Sequence, residues 1–170
     1  AKEILIDKEN EILVGEGSVT AEDSEGKVMS ADKIPYEKSR EFLLAEGRGK
    51  VTDIEGNILT ADRATYDKIN ELIITYDNTE LMLKEGYKLI TKNISYDSKN
   101  KTFSSNNNSI ITDNDGNKIE TSMFQYHIES NLFSAVGKIK IIDVKKNKYF
   151  LKEIHVDTKK KEMVGSDVSV

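Results

Sequence analysis

The chain has 170 residues, 37% of them hydrophobic and 32% charged, with a formal net charge of −5 and no cysteine. That length suits one domain that buries about 70% of its unfolded surface. The interspersed charge argues against a nucleic-acid partner, and the missing thiols exclude disulfides, thiolate chemistry and cysteine-ligated zinc. No apolar run reaches the ~18 residues a membrane-crossing helix needs.

In chain order, AKEILID at the start reads as a strand and KENE as a polar turn. Then comes GEGSVTAEDSEGKVMSADKIPYE over residues 15–37: a strand, a Glu-Gly turn and a second strand. After EKSRE, residues 45–67 repeat the order as AEGRGKVTDIEGNILTADRATYD, and DKINE, DSKNK and DTKKKE punctuate the later copies. The period is about thirty residues. Stepping by it gives a column Ile6, Tyr36, Tyr66, Tyr96, Tyr126, Val156 and a second, two residues earlier, of Ile4, Ile34, Ala64, Ile94, Phe124, Ile154. A third column holds Leu13, Leu43, Ile73, Phe103, Phe133 and Met163. All are apolar or aromatic. Glycines 26, 56, 86 and 116 mark one turn of each unit, whereas Lys146 stands there in the next copy and demands other turn chemistry.

Val, Ile, Thr, Tyr and Phe dominate between the turns, with alternation as in Leu43, Ala45, Gly47, Gly49, Val51. An all-β antiparallel meander of about eleven strands follows. The single proline, Pro35, suits a strand edge or a bulge. Apolar parity switches from Leu59 and Ala61 to Ala64 and Tyr66, which predicts a bulge or corner near Asp62 and likewise near Asp32, with each Asp bonding loose backbone N–H groups. Gly15-x-Gly17 and Gly47-x-Gly49 mark places where the strand bends or something approaches the backbone closely.

No catalytic or metal constellation emerges, and none of these patterns implies an enzyme or a cofactor. His127 and His155 read as surface residues of strands without a third metal ligand. DNDGNK over residues 113–118 lacks the glycine and glutamate that a calcium loop needs at its sixth and twelfth positions and reads as a hairpin turn.

The units LVGEGSVTAEDSEGKVMSADKIPYE and LLAEGRGKVTDIEGNILTADRATYD resemble the OstA-like family of lipopolysaccharide transport proteins. This family comprises the periplasmic bridge protein LptA, the periplasmic part of LptC and the N-terminal domain of the outer-membrane protein LptD. Leu59, Ala61, Asp62, Tyr66 and Asp67 match the family pattern L-x-A-D-x-x-x-Y-D. The resemblance is clearest over residues 11–67 and continues more weakly to the end. It implies an open antiparallel β-jellyroll built from two-strand repeats, whose two layers meet over an apolar interior. It also implies lipopolysaccharide as ligand, a periplasmic location at the outer membrane, and neighbouring jellyroll domains of the transport system stacked edge to edge. The start and stop in mid-repeat and the strand-like tail EMVGSDVSV favour a single domain excised from a longer chain, the LptD N-terminal domain with its outer-membrane barrel, over a complete LptA.

The expected lipid-binding interior comprises Ile34, Tyr36, Leu43, Ala45, Val51, Ala64, Tyr66, Ile73, Thr75, Ile94, Tyr96, Phe103, Ser105, Phe124, Tyr126, Phe133 and Ala135. The small Ala45, Thr75, Ser105 and Ala135 would leave room for acyl chains, and rim lysines and arginines would meet the phosphates. Segments 2–8 and 162–170 should be the exposed edges. An extracellular carbohydrate-binding or adhesin repeat and a purely structural scaffold are the competing readings.

Overall fold

A computed structural model describes residues 1–24 and 26–169. The strands are β1 (Glu3–Asp7), β2 (Ile12–Glu22), β3 (Val28–Glu37), β4 (Phe42–Thr52), β5 (Ile58–Asp67), β6 (Leu72–Met82), β7 (Lys88–Thr91) and β8 (Ser95–Asp97). They continue as β9 (Thr102–Ser105), β10 (Ser109–Thr112), β11 (Lys118–Thr121), β12 (Phe124–His127), β13 (Leu132–Ile142), β14 (Lys148–Asp157) and β15 (Glu162–Ser166). All strand pairings are antiparallel and belong to one 15-stranded sheet. The fold is all-β and jellyroll-like, with one 3-10 turn at Lys38–Arg40.

The sheet doubles over on itself. Each long strand crosses a corner: residues 42–46 of β4 pair in one layer and residues 49–52 in the other, with a register shift between Glu46 and Gly49 against β5. The same shift falls between Ser30 and Lys33, between Ala61 and Arg63, and between Val136 and Ile139. The parity switch at Asp32 and Asp62 is therefore a bulge at the corner. Between β6 and β13 the corner becomes a break. There β8, β9 and β12 belong to the first layer, with β1 and β15, while β7, β10 and β11 belong to the second. The chain makes twelve traverses of the sheet, and three of them cut in two give the fifteen strands.

Gly47 adopts a left-handed backbone (φ 73°) at the bulge, and a Cβ there would lie 2.6 Å from Asp32 Oδ2, so glycine avoids both the backbone strain and the close approach. Among the described residues, Asp32 and Asp62 bond no loose N–H groups. Asp32 accepts from the Arg48 guanidinium, with Nε 3.2 Å from Oδ2, and Asp62 accepts from the Asn78 amide at 3.0 Å. The backbone bond falls to Asn93, whose Oδ1 takes the Asp77 N–H at 3.0 Å.

The hairpin turns repeat their chemistry. Asp53, Asp113 and Asp143 each accept the backbone N–H four residues on, at 2.9 Å, and each holds that residue's Asn side chain at 2.8 Å. The sequence 113–118 is thus a hairpin turn. Lys146 does not change the turn: it takes the left-handed conformation itself (φ 70°), and its N–H donates to Asp143 O at 2.9 Å. The Asp143 and Asn147 clamp offsets the ~1–2 kcal/mol such a conformation costs a residue with a Cβ. Pro35 occupies neither an edge strand nor a bulge: it pairs with Val14 inside the sheet, and the ladder to β4 skips Ile34 and Pro35.

Candidate functional site

The space between the layers is the candidate site. In the central repeats it is filled. Phe124, Tyr126, Phe103, Tyr96, Ile94 and Ile73 are at most 4% exposed, Tyr96 stacks on Phe103 at 4.3 Å, and Phe124 stacks on Phe133 at 5.7 Å. Burial pushes the Tyr96 and Tyr126 phenols up to about 12. The remaining void, between Leu81, Leu89 and Ile111 on one layer and Tyr126, Phe133 and Val156 on the other, is about 20 Å³. That is room for about one water.

Toward both ends the layers part. A cleft of about 410 Å³ opens at the N-terminal end, lined by Ile4, Leu13, Gly15, Val19, Met29, Ile34, Tyr36, Leu43, Val51, Tyr66 and Ile73. A second, of about 480 Å³, opens at the C-terminal end among Tyr87, Ile111, Ile119, Ile141, Tyr149, Leu151, Val156, Met163, Gly165 and Val168. β1 and β15 extend the first layer, the second being prolonged at the C-terminal end, among the described residues, only by the bridge of Ser169 to Phe150, and Ile4, Ile6 and Met163 keep 61%, 65% and 48% exposure on apolar faces. Each of these edge strands has a neighbour on one side only.

Of the residues predicted for the interior, Ile34, Ala45, Val51, Ala64, Tyr66, Ile73, Thr75, Ile94, Tyr96, Phe103, Ser105, Phe124, Tyr126, Phe133 and Ala135 are buried, and Tyr36 and Leu43 are half-buried in the N-terminal cleft. The small residues Ala45, Thr75, Ser105 and Ala135 line neither cleft. They sit where the layers converge at the corner, at 0–6% exposure, and their smallness permits the convergence instead of widening a slot. Thr75 also satisfies the backbone at the break, where its Oγ1 accepts the buried Ile94 N–H at 2.8 Å and Thr79 Oγ1 lies 2.9 Å away. Ser109 Oγ donates to Thr91 Oγ1 at 3.0 Å, and Ser105 Oγ lies 3.4 Å from that same atom.

Apart from Val51, the sequence reading left out the second layer. Its inner face, Met29, Leu59, Leu89 and Ile119, and again Val51, Leu81, Ile111 and Ile141, follows the same period and is buried. Rim charge differs between the clefts. Glu22, Asp23, Lys27 and Lys68 border the N-terminal one, with Lys27 3.5 Å from Asp23. Glu85, Asp113, Asp115 and Asp143 border the C-terminal one with Lys161. The Tyr87 phenol there is pushed up, first by burial and then by Asp113 and Asp115. The expected basic rim is thus found at neither cleft: the N-terminal one is balanced and the C-terminal one acidic. His127 and His155 lie on exposed strand surface, with ring nitrogens 2.9 Å from Thr102 Oγ1 and Ser134 Oγ.

No family model and no curated protein matches the chain. A solved structure of a point mutant of the TCP10 domain of CPAP from Danio rerio aligns over 89% of this chain and 98% of that one, at 9% identity and a TM-score of 0.15. That likeness is too slight to carry an argument.

Proposed function

We propose that this domain belongs to the OstA-like lipopolysaccharide transport family and shelters the acyl chains of lipopolysaccharide between its layers, in the periplasm, on the way to the outer membrane. The observation that carries the reading is the apolar interior that opens at both ends beside an edge strand. Each methylene taken from water into such a cleft contributes about 0.8 kcal/mol. The N-terminal cleft, where Lys27 and Lys68 offset Glu22 and Asp23, suits a phosphate-bearing headgroup better than the acidic C-terminal one.

Stacking with a neighbouring domain follows from the repeat. Leu43 pairs with Tyr66, Ile73 with Tyr96 and Phe133 with Val156. Continued beyond the chain, the same register sets Met163 of β15 opposite Ile6 of a following domain's β1, and Gly165 opposite its Ile4, joining clefts end to end. An outer-membrane barrel in the same chain would be a further partner.

The test fills the clefts at their mouths, where the core is not overpacked. Leu13→Trp together with Met163→Trp should lower lipopolysaccharide binding at least about tenfold while the far-ultraviolet circular dichroism stays unchanged. Binding at normal strength would remove the acyl-chain reading. It would leave a structural scaffold, which the closed middle already favours for that part of the molecule.

A further inference from the structure

The outer face of the second layer is distinguished by lysines without carboxylate partners among the described residues. On the second layer, one cross-strand row runs Lys50, Thr60, Glu80, Ile90, Ile110, Glu120, Lys140, Phe150. The row beside it runs Met82, Lys88, Thr112, Lys118, Ile142, Lys148. Glu80 and Glu120 are neutralised by Lys88 at 2.7 Å and Lys140 at 3.0 Å. Lys50, Lys118 and Lys148 have no carboxylate within ion-pair distance among the described residues. On the first layer the outer row beside the turns includes Asp7, Glu37, Asp67, Asp97, Asp157 and Glu162, with no lysine or arginine among the residues paired along it. Two of these acids are themselves paired, Glu37 with Arg40 and Asp157 with Lys160, each at 3.2 Å, and Lys33 and Arg63 share their face, so what sets the second layer apart is its three lysines left unpaired among the described residues.

That face also carries apolar studs: Ile90, Ile110 and Phe150 are 48%, 44% and 47% exposed along a single row. Ile90 and Ile110 are on adjacent strands, and Phe150 is three strands further on, about 14 Å away. Lysines lie between and beside them. We propose that the outer face of the second layer docks on an anionic lipid surface, its aliphatic and aromatic studs entering the headgroup boundary while the lysine stems reach back to the phosphates. The three studs line one open concavity of about 950 Å³ with Lys92, Lys138 and Lys140 around it, and a fluid surface adjusts to such a relief where a flat, rigid partner would not. The competing occupant is the acidic outer face of a second copy. The inference does not depend on whether the interior takes lipid.

Vesicle flotation decides it. The chain should bind phosphatidylcholine vesicles containing about 30% phosphatidylglycerol at least about tenfold more tightly than pure phosphatidylcholine, and the preference should collapse in about 0.5 M salt. Lys118→Glu with Lys148→Glu should cost about tenfold or more, Ile110→Asp several-fold, whereas Lys33→Glu with Arg63→Glu, the same charge change on the opposite face, should stay within about twofold. The wild-type comparison of vesicles and salt needs no variant to fold, and Lys118→Gln with Lys148→Gln gives a milder second reading. Equal binding to both vesicle types, or equal loss from both charge-reversal pairs, overturns the proposal. So does self-association in sedimentation that disappears in Lys118→Glu with Lys148→Glu while vesicle binding does not change, which would assign the face to a second copy.

Discussion

The ends and the middle of this molecule make the same fold by different means. At the ends the strands run unbroken around the corner, and a left-handed pair such as Gly47 and Arg48 absorbs the extra residue of the bulge. In the middle the strands stop at the corner, and the hydroxyls of Thr75, Thr79, Thr91, Ser105 and Ser109 take over the polar groups the break would strand. The interiors differ in parallel: stacked aromatics close the middle, while the layers gape at each end. Rigidity and vacancy are thus allotted to different repeats of one pattern.

The sharpest test of that division is a pair of truncations. Phe124→Ala in the closed middle should cost about 3–5 kcal/mol in urea unfolding, and Leu13→Ala, already 41% exposed in the N-terminal cleft, below about 1 kcal/mol. Equal losses would mean that the ends are packed like the middle.

The two corner chemistries come next. Gly47→Val forces a β-branched residue to φ 73° and pushes on Asp32, for about 1–3 kcal/mol or more. Thr75→Val keeps the volume but strands the Ile94 N–H, for about 1–3 kcal/mol. Exchanging the remedies should fail at both sites: Gly47→Thr should not be tolerated, nor Thr75→Gly. Thermal melting of the four variants reads this out.

Alkali should strike the middle. Unfolded tyrosine titrates near 10, and the folded-state values of Tyr96 and Tyr126 are raised to about 12, so the protein holds these protons more tightly when folded. Their contribution is complete below pH 10 and is lost as pH rises from about 10 toward 12. Tyr96→Phe with Tyr126→Phe should flatten the fall in melting temperature across that window; an unchanged fall would place its cause elsewhere. The smallest effect is expected at the surface of the corner, where Arg48→Ala removes the exposed pair with Asp32 and should cost below about 1 kcal/mol, less still in high salt.

Much of the architecture was legible because a period of about thirty residues stamps every unit. The Tyr36, Ile34 and Leu43 columns predict the inner face of the first layer, and the parity flip at Asp32 and Asp62 predicts the corner. The second layer was as legible in principle, since Met29, Leu59, Leu89 and Ile119 keep the same spacing, but these columns lie on the other side of the flip, before Asp32 and Asp62, and share no aromatic to mark them. What the columns could not tell is which apolar residues meet another side chain and which meet open space. Tyr36 and Tyr96 are alike in sequence, yet one lines a cleft and the other is 4% exposed, because that depends on whether a strand of the opposite layer lies over it. Lys146 shows the converse limit: a turn can keep its shape when a neighbouring Asp and Asn hold it, although the expected glycine is gone.

The strand order has a kinetic consequence. Each strand pairs with segments near it in the chain, and the longest step in the ladder only skips the broken traverses of the middle. Little loop-closure entropy therefore opposes each added strand, and the molecule behaves as a row of coupled units more than as a globule assembled at once. Unfolding that starts at β1 or β15 frees one neighbour at a time and can zip back. A rupture between β6 and β13 has to part both layers together, so amide exchange should be fastest at the two ends and slowest around Phe124, graded along the row like beads on a tensioned string.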